Sequence, residues 1–160
     1  MGPIAMVGTI LVVTGYYLFL LAPVTKVAKD AAAADVLAAA MLVYQKAAID
    51  WCLRTACADG PIPPAALVLP PGYRQAGWLA ATAQGGRIST AVIGLGVSPL
   101  SIAGRLGDLT QGGPAAGLAA VGQTGATIVA ARDFVAGWRV PVFVDSAIPV
   151  GVPVVSQQVR

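Results

Sequence analysis

Serine and lysine form the only nucleophile–base pair that this composition permits. The 160 residues include no His and no Glu. Their absence removes the Ser–His–Asp triad, most general acid–base chemistry and most zinc sites. A Ser–Lys dyad needs its two side chains within hydrogen-bond reach. Lys26, Lys29 and Lys46 lie in the first third of the chain, whereas Ser89, Ser98, Ser101, Ser146 and Ser156 lie beyond it. That separation argues against a tethered Ser/Lys hydrolase. The Asp residues never gather at calcium-ligand spacing. Gly94-Leu95-Gly96-Val97 lacks the third Gly and the downstream acid of a dinucleotide fingerprint. The Gly-rich residues 112–125 lack the Lys-Ser/Thr of a phosphate loop. Both read as turns. The expectation is a non-enzyme with no catalytic residue, no cofactor, no metal and no small-molecule substrate.

Cys52 and Cys57 carry the remaining chemistry. In an oxidising compartment they could pair. At i,i+5 on an unbroken helix they point to different sides, so a bridge requires the helix to end between them. Two reduced thiols are the alternative. Trp51, Trp78 and Trp138 read as core or interface anchors, and Arg132-Asp133 with Trp138-Arg139 reads as an exposed turn around Gly137. The net charge is +3 and the basic residues form no run, which argues against a nucleic-acid partner.

The elements that position these residues start at the N-terminus. Residues 1–25 contain no charged side chain. About 20 apolar helical residues span a hydrocarbon core of about 30 Å. Residues 4–22 nearly meet that length, and Pro23 with Lys26 and Lys29 closes the run. The reading is a membrane anchor over residues 1–25, followed by one domain over residues 26–160. The basic n-region and A-x-A site of a cleaved signal peptide are missing, as is the basic stretch of a prepilin leader. The anchor is therefore expected to be retained. Gly8, Gly15 and Ala22 recur every seven residues and draw a candidate packing face for a partner helix. Lys26 and Lys29 favour a cytoplasmic domain by the positive-inside rule.

Residues 24–52 are rich in Ala and Leu and read as helix. Leu37, Met41, Tyr44, Ala48 and Trp51 follow the spacing of one buried face. Lys46 and Asp50 form an i,i+4 pair worth a few tenths of a kcal/mol. With a kink at Pro23, residues 4–54 make one rod of about 75 Å. Residues 57–72 hold Asp59-Gly60-Pro61, Pro63-Pro64 and Pro70-Pro71, and read as an extended loop with residues 67–69 reaching the core. Residues 87–93 read as a strand that forms a hairpin with residues 77–82. Ser98-Pro99 opens a short helix, with Ser98 as N-cap and Leu100, Ala103, Leu106 and Leu109 facing inward. Residues 118–123, 126–135, 140–144 and 152–158 read as strands, with a tight turn at Gly122-Gln123-Thr124-Gly125. Pro141 and Pro153 assign their strands to sheet edges. The fold class is α+β: an N-terminal transmembrane helix continues into a long helix packed on a small, mainly antiparallel sheet with a short inserted helix.

This layout resembles that of type IV pilins and pseudopilins. It is more closely similar to the PilM family of plasmid-encoded type IVB (thin) conjugative pili. The similar elements are Met41-Leu42-Val43-Tyr44-Gln45-Lys46-Ala47-Ala48, Leu67-Val68-Leu69-Pro70 and the Trp78 region. The helix around Leu106, Val121-Gly122 with Gly125, and Ala147-Ile148-Pro149-Val150-Gly151 follow in order. The resemblance implies a non-catalytic pilus-biogenesis accessory protein in the bacterial inner membrane. It further implies a single pass, a periplasmic domain, and pilus-assembly proteins or pilin subunits as partners. Its machinery would serve conjugation. A minor pilin or pseudopilin within a filament is the alternative.

Overall fold

In the computed structural model, residues 3–73, 77–94, 96–111, 113, 115–122, 125–130, 142–144 and 148–159 are described. Helix α1, Pro3–Thr55, is one element of 53 residues, about 80 Å at 1.5 Å per residue. It runs through Pro23, whose fixed φ suits a helix although its ring removes one backbone hydrogen bond. From Ala34 onward a stripe turns inward. Ala34, Leu37, Ala38, Met41, Tyr44, Ala48 and Cys52 are buried, with Trp51 half-buried beside them. This is the spacing expected of one packed face.

α1 ends at Thr55, and Ala56 takes a left-handed conformation with φ of 50°. The chain then follows the Pro-rich loop. A two-residue edge strand, β1 (Gly60–Pro61), and a 3-10 turn at Pro64–Ala66 interrupt its extended course. Leu67 is buried and Leu69 packs beside it, while Val68 faces outward. The Tyr73 hydroxyl donates to the Ala40 carbonyl at 2.8 Å, which fastens the end of the loop to α1.

Strands β2 (Leu79–Gln84) and β3 (Arg87–Val92) form the expected hairpin, with β2 set two residues later than the sequence reading. Gln84 pairs with Arg87 across Gly85-Gly86, and both glycines have positive φ, as a tight two-residue turn requires. Helix α2 spans Pro99–Leu109. Strands β4 (Ala116–Gly122), β5 (Gly125–Ala130), β6 (Val142–Val144) and β7 (Pro153–Gln158) follow. Gly122 pairs with Gly125, the two ends of the turn that the sequence places there, and Gln123 and Thr124 lie outside the described residues. The seven strands among the described residues form one antiparallel sheet in the order β1-β2-β3-β7-β4-β5-β6. α1 and α2 cover one face over a core that includes Met41, Tyr44, Ile88, Ile102, Leu106 and Val155. A smaller cluster of Ala91, Ala119, Ile128, Ile148 and Val154 fills the other face. This is the α+β class expected, with the long helix first.

Two local expectations are corrected, and a third holds in position only. Pro153 does not mark an edge: β7 lies between β3 and β4. Pro153 is the first residue of that strand, where its missing N–H breaks no internal ladder bond. On α2 the buried residues are Ile102, Ala103, Leu106 and Gly107, while Leu100 and Leu109 are 61% and 53% exposed. Packing against both α1 and β4 selects the central stripe and leaves the helix ends in solvent. Ser98 stands at the N-cap, yet its side chain makes no capping bond. Its carbonyl instead accepts from the amides of Ser101 and Ile102 at 3.1 and 3.3 Å. Pro141 lies outside the described residues.

Candidate functional site

The N-terminal part of α1 presents an exposed apolar surface. Its side chains from Ile10 to Phe19 are all exposed, from 47% at Val13 to 80% at Phe19 among the large apolar ones. Tyr16 and Tyr17 meet edge to face, with ring centroids 6.4 Å apart. A charge-free run of this kind is costly in water and calls for an apolar partner. Residues Thr25–Thr55 are also long and apolar enough to cross a bilayer by composition, with a mean hydropathy of 1.4. However, 44% of that stretch's most apolar window is buried within the molecule. Lys26, Lys29, Asp30, Asp35, Lys46 and Asp50 also interrupt it. The burial falls on the residues from Ala34 onward, which form the core helix of the head, and Ile10–Phe19 remain an exposed apolar surface. Of the proposed small-residue face, Gly15 has open space where a Cβ would project. The surroundings of Gly8 and Ala22 lie outside the described residues.

Cys52 and Cys57 are joined in a disulfide. The helix ends between them, and the left-handed turn at Ala56 brings the two Cα atoms to 4.7 Å. The bridge thereby pins the Pro-rich loop to the last turn of α1. A cavity of about 320 Å³ opens beside it, between the helix end and the β2–β3 turn.

Of the candidate nucleophiles, Ser89 and Ser156 face each other across β3 and β7. The Ser89 hydroxyl donates to Ser156 at 2.9 Å, and both residues are buried. Lys46 is exposed on α1. Ser146, Trp138, Gly137, Arg132, Asp133 and Arg139 lie outside the described residues. Trp51 and Trp78 pack as half-buried rims of the main core. Among the described residues no three His, Cys, Asp or Glu side chains gather at one place.

Sequence reasoning missed the polar contacts that tie α1 to its neighbours. Gln45 is buried on the inward stripe of α1, where its Nε2 donates to the Ile88 carbonyl at 2.8 Å and its Oε1 accepts from Thr90 Oγ1. Arg105 on α2 pairs with Asp35 on α1, and that partner holds its guanidinium pKa above the usual arginine range. Tyr73 binds the α1 backbone as described above. The one available signal was the place of Gln45, four residues after Met41 and three before Ala48. A polar side chain on a buried stripe must find a partner there.

A long N-terminal helix laid on an antiparallel sheet, with its Ile10–Phe19 stretch exposed and apolar, defines an α+β head with a helical extension. The chain belongs to the PilM family, whose model matches residues 7–156. It is therefore a component of type IV pilus biogenesis. No curated protein and no solved structure matches it.

Proposed function

We propose that this PilM-family chain is a single-pass inner-membrane protein whose head acts as a non-catalytic scaffold in type IVB pilus assembly for conjugation. One observation carries the reading. A single helix carries an exposed, charge-free apolar run at Ile10–Phe19 and ends as the core helix of the head. The first part needs a hydrocarbon partner, and the second is already satisfied by the sheet. Burying apolar surface yields about 25 cal/mol per Å², so the bare run favours transfer into lipid. The disulfide supports a periplasmic head, because such bridges persist in oxidising compartments. It outweighs the opposing contribution of Lys26 and Lys29. Other pilus components are the expected partners.

Deletion in a conjugative host tests this reading. Loss of pili and of mating in liquid is the expected outcome; wild-type pili and transfer would refute it. The bare apolar helix also suits a second reading, a minor pilin whose helix bundles with those of other subunits. Recovery of the protein in sheared, purified filaments would favour that reading.

A further inference from the structure

We propose that the cavity at the end of α1 is a binding site for one Lys or Arg side chain of a partner polypeptide. Three features converge on it. The first is electrostatic. Cys52 and Ala56 on its wall mark the C-terminal end of a 53-residue helix. The last carbonyls of a helix lack intrahelical partners and carry about half a negative charge. The second is Asp59, also on the wall. Its Oδ1 accepts from the Gly85 amide at 2.9 Å, which leaves Oδ2 for another donor. Among the described residues no cation pairs with Asp59. The nearby Arg54 instead turns its Nε back to the Asp50 carbonyl at 3.0 Å. The third is shape. Ile88, Val159 and the disulfide provide apolar walls for an aliphatic stem, as snorkelling cationic side chains prefer. At Gly85 the space beyond a Cβ is open, so the mouth is accessible.

An anion would meet two negative sources here, and a neutral apolar group would offer no donor to Asp59 Oδ2. A guanidinium or ammonium satisfies both. The cavity lies about 45 Å along α1 from Thr25, at the end of the helix remote from the apolar run. It can therefore meet a partner independently of any membrane contact.

The test is an NMR titration of the full chain in detergent micelles. The probes are N-acetyl-L-arginine amide and its neutral isostere N-acetyl-L-citrulline amide. Saturable shifts at the amides of Ala56, Asp59, Gly85 and Gly86 are expected with arginine. Binding should weaken about tenfold or more with citrulline and in Asp59→Asn. The Asp59→Asn side chain keeps an oxygen for the Gly85 amide, so the hairpin should persist. Added salt should weaken arginine binding to the unaltered chain, which supplies a readout needing no variant. Equal shifts with both probes, absence of saturation, or indifference to salt and to Asp59→Asn would overturn the proposal. A negative titration would leave the assembly role intact, because the deletion phenotype tests that role separately.

Discussion

Gln45 is a core residue that apolar spacing could not assign. Leu37, Met41, Tyr44 and Ala48 are legible in the sequence because that spacing alone marks them. Gln45 is not, because its partners sit 43 and 45 residues away on β3. Periodicity carries no information about such pairings. Burial makes the pairing consequential: Gln45→Leu strands the Thr90 hydroxyl and should cost about 1–3 kcal/mol by denaturant titration. Adding Thr90→Val should recover much of that loss, since removing both partners leaves no orphaned donor. Tyr44 is the converse case. Among the described residues its buried hydroxyl has no partner. Burial, and secondarily the charge of Tyr73, push its pKa above the usual tyrosine value; burial alone raises that of Tyr73. A raised tyrosine pKa means that the unfolded chain ionises first as pH rises. The associated stability is fully present below about pH 10 and is lost as pH climbs through the folded value. Thermal melts should therefore fall more steeply above that pH in the unaltered chain than in Tyr44→Phe. At neutral pH that variant should be no less stable.

Among the helices and strands, propensity and turn chemistry placed α1, α2 and the strands from β2 onward, but not β1, which lies in the Pro-rich stretch read as an extended loop. Pairing and orientation came from tertiary contacts. Pro153 illustrates the limit: a proline in a strand argues for an edge, but the first position of a central strand is equally free of conflict. The α2 face shifted for a similar reason, because two neighbours rather than one decide which stripe is buried. Ser98→Ala should change stability by less than about 0.5 kcal/mol, since the capping bond that would make it costly is absent. The end of α1 is more sensitive. Ala56 holds a left-handed conformation that glycine adopts without steric cost. Ala56→Gly should stabilise the chain by about 0.5–1 kcal/mol in denaturant titrations. Removing the bridge with Cys52→Ser and Cys57→Ser should cost about 2 kcal/mol, as expected for so short a closed loop. A reductant should produce the same loss in the unaltered chain and none in the double variant.

Across the full assembly of elements, β7 is the closing one. It joins the β1-β2-β3 half to the β4-β5-β6 half, and its residues Pro153, Val154, Val155 and Ser156 are all buried. The head therefore becomes one sheet only when its last strand is in place. Helix α1 enters that head, and its apolar run extends beyond it. The proposed role depends on this division of one helix between lipid and sheet. A reporter fused after Arg160 tests it most directly, read together with carbonate extraction of the membranes. The expected result is a membrane-retained fusion whose reporter is active in the periplasm. A fusion released into the soluble fraction, or one whose reporter is active in the cytoplasm, would contradict it.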